Sequence, residues 1–366
     1  MAEELLLTPL YERHLALGGR LVPFAGWNMP VHYSEGILAE HRHCRSAAAL
    51  FDICHMGEFR LSGAGAAADL DRVMARAVQN QGIGSCRYNF LLNEQGGILD
   101  DLIVYRLAEE EFYLVVNAGC RDTDRAWLQK QLSADTVLLD ESDTTAKLDL
   151  QGPAAAQVLQ ELGVAAELLP AHFRWNKLSL LGVDLLISRT GYTGELGYEL
   201  YFEAEMAVKL WDALLQHPSV KPAGLGARDT LRLEMGYPLY GHEMDESINP
   251  VELGYAAMLK LDAEREFIGK QALAAKPKKQ LVALQLESKR AARPGMALLF
   301  QGVQIGQVSS GALAPSLETA VALALVSTEA ELPEAASLEI DTGRARLPAK
   351  LCQLPFYKKG SLKNKV

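Results

Sequence analysis

Two adjacent carboxylates, Asp100 and Asp101, sit inside Gly96-Gly97-Ile98-Leu99-Asp100-Asp101-Leu102-Ile103-Val104-Tyr105. The stretch reads as a β-strand leaving a Gly-Gly turn. Strand side chains alternate between faces. Asp101 is therefore expected with Leu99, Ile103 and Tyr105, and Asp100 with Ile98, Leu102 and Val104. A carboxylate among apolar neighbours is costly unless it is paired, protonated or in use. Two readings follow: the pair ties down the turn, or one member is a proton acceptor with a tuned pKa in a cleft.

Other residues offer polar chemistry in compact settings. Thr190-Gly-Tyr-Thr-Gly-Glu-Leu-Gly197 packs three glycines into a turn whose backbone can approach a ligand. In the strand that follows, Tyr198, Leu200 and Phe202 share one face and Glu199 and Tyr201 the other. Glu195 reads as a turn or surface charge. In Gly224-Leu-Gly-Ala-Arg228-Asp-Thr-Leu-Arg232-Leu-Glu-Met235-Gly236, Arg228, Leu231, Arg232 and Met235 line one helical face. Two arginines on an apolar stripe need an anionic partner, either internal Asp or Glu or a ligand carboxylate. Asn117 ends a strand beside a turn, a common position for a binding side chain. His41 and His43 fall on different sides of one helix and do not form a metal pair. Gly63-x-Gly65-x-x-Ala68 has the outline of a dinucleotide fingerprint. No acidic strand end follows about twenty residues on, so it reads as a strand-to-helix turn.

The elements that position these groups alternate along the chain. Thr8-Pro9 opens a helix that stops at Gly18-Gly19. Residues Phe24–Tyr33, rich in aromatics, Gly and Pro, are expected to form an ordered loop. A helix covers about Ile37–Ala48. Strands near residues 88–92, 98–105 and 112–117, joined by short turns, predict an antiparallel meander. A second strand pair, Lys177–Leu181 and Asp184–Arg189, precedes the Thr190 turn. From about residue 280, short Val, Leu and Ile runs broken by Gly and Pro predict a small β-rich domain, barrel or sandwich.

With 366 residues, 49% apolar, the chain is long enough for two or three domains. Its net charge of −10 argues against nucleic acid as a partner. The charge is uneven. Residues 1–275 carry 39 acidic against 23 basic side chains, a net of −16. Residues 276–366 carry 7 against 13, a net of +6. The reversal marks a boundary near Lys276-Pro277-Lys278-Lys279 and leaves the last part basic, as a solvated surface or toward an anionic ligand. Five scattered cysteines without a C-x-x-C pair suit reduced thiols and a cytoplasmic setting. The acidic start, Met1-Ala2-Glu3-Glu4, is not a signal peptide, and no run is long enough to span a membrane.

Several segments, in this order, closely resemble the aminomethyltransferase family, the T-protein of the glycine cleavage system. They include Phe24-x-Gly-Trp-x-Met-Pro-x-x-Tyr33, Phe51-Asp-x-x-His-Met-Gly57, Gly97-Ile-Leu-Asp-Asp-Leu-Ile-Val104, Thr190-Gly-Tyr-Thr-Gly-Glu195, Gly224 to Glu234, Leu239-Tyr-Gly-x-Glu-Met-Asp-Glu246 and Phe267-Ile-Gly-Lys-x-Ala-Leu273. The resemblance implies an α+β fold: three domains in a ring around a central folate channel, antiparallel sheets with flanking helices, and a C-terminal β-barrel-like domain. The expected domains are 1–50 with 140–275, the folate-binding core; 51–139, an insertion carrying the Asp-Asp strand; and 276–366, the barrel. The implied reaction moves the carbon of an aminomethyl group from the lipoyl arm of the H-protein to tetrahydrofolate, giving methylene-tetrahydrofolate and ammonia, with no metal. Asp101 matches the family's essential aspartate. Folate contacts fall on Tyr88, Tyr105, Asn117, Tyr192, Glu199 and Arg228. The family's tryptophan after the Met-Asp-Glu segment has no obvious counterpart; Val251–Leu261 offers Tyr255 and Met258. His242 replaces a commoner glutamine. The alternative reading is another folate-dependent transferase or demethylase of this fold, or a non-catalytic folate-binding relative. The cysteine signature of that last type is missing from Glu266-Phe-Ile-Gly-Lys-Gln271.

Overall fold

The computed structural model describes residues 4–333 and 336–364; Met1-Ala2-Glu3 of the acidic start lies outside them. Two mixed-layer units and a barrel make up the architecture. The first sheet has five antiparallel strands in the order Cys86–Leu92, Ile98–Ala108, Glu111–Val116, Gly57–Ser62 and Val137–Asp140. Helices Ala66–Val73 and Arg121–Gln131 contribute Leu70, Val73 and Leu128 to the core on one of its faces, with Phe59, Leu102, Val104 and Leu114. The second sheet has six strands: Trp175–Leu180, Val183–Ser188, Gly197–Glu203, Thr145–Gln151, Ala48–Asp52 and Val220–Pro222. Its pairs are antiparallel except the last, which is parallel. Helices Ala155–Glu161 and Ala207–Leu215 bury Leu159, Leu210 and Trp211 against Leu148, Leu150, Tyr198 and Leu200. Strand Ala48–Asp52 runs across the boundary expected at residue 50.

The C-terminal strands Lys279–Leu286, Thr319–Ser327, Val303–Ala314, Ala297–Phe300, Ser337–Asp341 and Arg346–Cys352 close into a six-stranded barrel. Small Ala320, Ala322 and Ala324 alternate inward opposite Leu284, Leu286, Val308 and Leu338, which lets so narrow a barrel fill its own interior. The last strand, where Arg346, Pro348 and Lys350 alternate with Leu347, Ala349 and Leu351, is not among the apolar runs that signal this domain. The barrel docks on helix Leu225–Met235: Arg232 Nη2 donates to Ser310 Oγ at 2.8 Å.

Two local expectations are corrected. Residues 24–33 are not a loop. Arg20–Phe24 and Trp27–His32 form an antiparallel hairpin. Its two-residue turn is Ala25-Gly26, both at positive φ (48° and 84°), the twist that short hairpins require. The strand face of Leu99 also differs. A bulge between Leu91 and Leu92 pairs Leu91 with Asp100 and Leu92 with Ile98, leaving Leu99 as the extra residue. An extra residue breaks the alternation on its N-terminal side. Leu99 therefore packs with the Leu102–Val104 core, while Ile98 joins Phe90 and Met244.

Candidate active site

Strand Ile98–Ala108 carries Asp101 and Tyr105 on one face, four residues or roughly 13 Å apart along the backbone. Each anchors one polar cluster.

Around Asp101 the partners come from both neighbouring strands. Tyr88, on Cys86–Leu92, donates its hydroxyl to Asp101 Oδ2 at 2.9 Å. Asn117, just past Glu111–Val116, donates Nδ2 to Asp101 Oδ1 at 2.8 Å and to Asp100 Oδ1 at 2.8 Å, and its backbone N–H to Asp100 Oδ2 at 3.0 Å. Asp100 is fully buried, whereas Asp101, Tyr88 and Asn117 keep part of their surface open. Burial, and then the neighbouring Asp100 charge, push Asp101 up to about 7, against the stabilising bonds from Tyr88 and Asn117. Tyr255 stands 5.9 Å from the Tyr88 ring, so the Val251–Leu261 segment does supply an aromatic wall here. Tyr192 lies near enough to feel the Asp101 charge. Its ring stacks on Tyr237 at 5.7 Å, and its hydroxyl donates to the Pro238 carbonyl.

The second cluster surrounds Glu199, on strand Gly197–Glu203. The Tyr201 hydroxyl donates to Glu199 Oε2 at 3.2 Å, and Thr190 Oγ1 donates to the same oxygen. Tyr105 reaches it at 3.5 Å and bridges the two sheets through Tyr201 (2.7 Å) and Ser188 (3.0 Å). Lys147 Nζ stands 3.6 Å from the other oxygen, Oε1. Burial opposes ionisation of Glu199, but the Lys147 ammonium, Thr190 and Arg228 outweigh it and hold the group below its ordinary value. Arg228 Nη1 donates to buried Asp149 Oδ2 at 2.7 Å, and its guanidinium sits 5.2 Å from the Tyr192 ring centre. Asp149 faces Glu199 across the strand pair, and burial together with that charge raises it to about 6 despite Arg228. Arg228 and Tyr192 thus span the distance between the clusters.

The structure brings all seven expected residues into this two-part arrangement. The anionic partners of the helical arginines are internal: Asp149 for Arg228, and Glu243 (3.2 Å) with Asp229 (2.8 Å) for Arg232. Sequence reading missed Lys147, a buried cation in the strand Thr-Ala-Lys-Leu-Asp-Leu-Gln, where Lys147, Asp149 and Gln151 alternate with Ala146, Leu148 and Leu150; the pairing of Lys147 with Tyr201 appears only in the fold. It also missed Asp124, buried in the first turn of helix Arg121–Gln131. Glu195 is not a surface charge. It is buried, pairs with Arg45 at 2.8 Å, and accepts the Ser361 N–H at 2.8 Å. His242 is exposed, with Nδ1 3.2 Å from Ser310 Oγ. Among the described residues no His, Cys, Asp and Glu group has the layout of a metal site.

An acid pair between tyrosines, one member buried and one partly open, on a sheet whose companion sheet offers a charged Glu–Lys pair and whose chain ends in a closed barrel, defines an α+β protein with a built polar binding site. Comparison with known proteins gives the family. Residues 10–263 match the GCVT N-terminal domain and residues 279–358 the glycine cleavage T-protein C-terminal barrel domain. The chain is 41% identical to an aminomethyltransferase of Thermotoga petrophila, covering 98% of this chain and 99% of that one. It is 42% identical to one of Deinococcus deserti, covering 96% of each. Its fold superposes on the crystal structure of glycine cleavage system aminomethyltransferase T from Bartonella henselae with a TM-score of 0.92, at 34% identity, over 98% of this chain and 100% of that one. The chain belongs to the glycine cleavage T-protein family.

Proposed function

We propose that the protein is the tetrahydrofolate-dependent aminomethyltransferase of a glycine cleavage system, taking an aminomethyl group from the lipoyl arm of the H-protein and releasing ammonia. Tetrahydrofolate supplies the nitrogen nucleophiles that take up the one-carbon unit. A reduced pterin is flat, with an aminopyrimidine edge that donates hydrogen bonds. Glu199 suits that edge: Oε2 is held by Thr190 and Tyr201, while Oε1 has only Lys147 near it, at 3.6 Å, and accepts no hydrogen bond from the described residues. A charged acceptor of this kind forms the stronger class of hydrogen bond. Tyr88 and Tyr192 supply aromatic faces along the span from Glu199 to Asp101, while Tyr105, fully buried, holds Glu199 and Tyr201 in place from behind. Arg228 keeps Asp149 and Tyr192 in place, and Asn117 fixes the Asp101 carboxylate. The basic C-terminal domain suits the carboxylates of the folate tail. The five free thiols, four of them buried, are consistent with a cytoplasmic setting.

Asp101 carries the reading. An aspartate near its ordinary value of ~3.9 is a weak base. Raised to about 7, Asp101 is matched to taking up or relaying the proton that moves as ammonia leaves. The test is ammonia release from aminomethylated H-protein plus tetrahydrofolate. Asp101→Asn should lower turnover by at least about 10², with folate still bound in a titration. A near-normal rate at saturating folate removes Asp101 from the mechanism.

A further inference from the structure

Three carboxyls stand in a row behind Tyr88: Asp101, Asp100 and Asp124. Asp124 is 1% exposed, and neither of its oxygens receives a hydrogen bond from an N–H or O–H among the described residues. The polar group within its hydrogen-bond reach is the carboxyl of Asp100. Asp100, itself fully buried, already accepts two bonds from Asn117. The remaining groups facing the row are the Cys120 thiol, which bonds Asp100, and the Tyr88, Tyr192, Tyr240 and Tyr255 phenols, kept neutral by burial; Glu246 lies beyond Tyr240. None of the three carboxyls pairs with an Arg, Lys or His among the described residues.

We propose that Asp124 holds a proton at neutral pH and donates it to Asp100, so that Asp100 stays a single, fully hydrogen-bonded negative charge beside Asp101. Asp124 is thereby a positioning residue: it acts on the reaction through Asp100 and touches no substrate. Two buried carboxylates without a cation cannot both ionise in contact, and a shared proton is the ordinary resolution. Burial and the Asp100 charge both push Asp124 up, to about 11. Its place in the first turn of a helix works the other way, but a helix N-terminus moves a carboxyl by only about one pKa unit. Because the proton rests on Asp124, the charge that raises Asp101 is located on Asp100. Without a donor at position 124, Asp100 would take up the proton itself, and Asp101 would fall back toward the ordinary carboxylate range.

The inference rests on Asp101 as the proton carrier, and the experiment separates the two. In the H-protein assay, the acidic limb of kcat against pH is followed for wild type, Asp124→Asn and Asp124→Leu. The asparagine keeps a donor toward Asp100, so its limb should stay within roughly half a pH unit of wild type. The leucine has none, and its limb should move down by at least about one unit. A leucine limb at the wild-type position, or an asparagine limb displaced as far as the leucine, overturns the proposal. Infrared difference spectra at pH 9, wild type minus Asp124→Asn, should contain a protonated-carboxyl stretch, because Asp101 is ionised there. Its absence overturns the proposal whether or not the leucine variant folds. If Asp101→Asn retains turnover, the proton-carrier reading fails, while the infrared band still decides where the proton sits.

Discussion

Asn117 Nδ2 lies 2.8 Å from Asp101 Oδ1 and also 2.8 Å from Asp100 Oδ1. One amide therefore sets the spacing of two carboxylates that successive strand positions would send to opposite faces. Hydrogen bonds to the ionised form favour it. Asn117→Leu removes them, so the Asp101 pKa rises above about 7. The acidic limb of the rate profile should move up by about one unit, and turnover at pH 7 should fall roughly fivefold and recover in alkali. A loss of that size that persists at every pH would mean that Asn117 acts on something other than the proton.

The same carboxylate makes a prediction about stability. Its folded value of about 7 lies above the unfolded ~3.9, so the folded state binds the proton more tightly between those limits. That contribution is complete below about pH 4 and is lost as the pH rises through 7. Asp101→Asn cannot ionise. It should gain stability relative to wild type by on the order of 2–3 kcal/mol more at pH 8 than at pH 5. Urea unfolding with unchanged slope measures this; a pH-independent difference would place Asp101 at its ordinary value in the fold.

Much of this arrangement is readable from order alone, and the failures have two causes, a bulge and burial by distant residues. Asp101, Tyr105, Glu199 and Tyr201 reach the right faces because strand alternation is local. Leu99 fails where a bulge, which no pattern in the apolar run announces, shifts the alternation. Glu195 and Asp124 fail because their burial is decided far away. Ser361, 166 residues on, closes over Glu195, and Asp100, on strand Ile98–Ala108, meets the helical Asp124. A charged residue in a turn or on the first turn of a helix carries no sign of what will later cover it.

Lys147 and Glu199 form a pair that is 2% and 8% exposed at the side chain. Removing one member strands the other charge, which costs about 3–5 kcal/mol in buried settings. Lys147→Met should destabilise by that order and weaken folate binding, since Glu199 would then tend to protonate. Lys147→Met with Glu199→Gln should recover much of the stability but not the folate affinity. Recovery of both in the double variant would exclude Glu199 as the pterin acceptor.

Arg45 ties the chain's end to its core. Its guanidinium donates to Glu195 (2.8 Å), Glu234 (2.8 Å) and the Thr193 carbonyl (2.6 Å), and lies 4.2 Å from the Tyr357 ring centre. Arg45→Met leaves two buried carboxylates without their cation, and should cost about 3–5 kcal/mol. Arg45→Lys should recover little, because an ammonium cannot serve acceptors in three directions along a plane. Thermal unfolding of the two variants checks this; a lysine that restores wild-type stability would show that charge alone suffices.

Gly97 starts the strand that carries the acid pair, and it has no room for a side chain. A methyl there would overlap the Glu246 carbonyl group, which is backbone and cannot swing aside. Residues 245–248 would have to move, yet this segment accepts the Ile98 N–H through Asp245 O (3.2 Å) and Ile248 O (2.9 Å). Ile98 is two residues from Asp100 and adjoins the bulge, so the displacement travels directly into the carboxylates. Small misplacements of a reacting group carry large kinetic costs. Gly97→Ala should therefore lower kcat by about tenfold or more in a chain that still folds. Gly343→Ala, in the barrel turn between strands Ser337–Asp341 and Arg346–Cys352, is the control. Its φ of 73° is strained for alanine, but no atom crowds the added methyl. It should lose about 1–2 kcal/mol of stability and leave kcat alone. Equal kcat in the two variants would detach the Gly97 turn from the chemistry of Asp101.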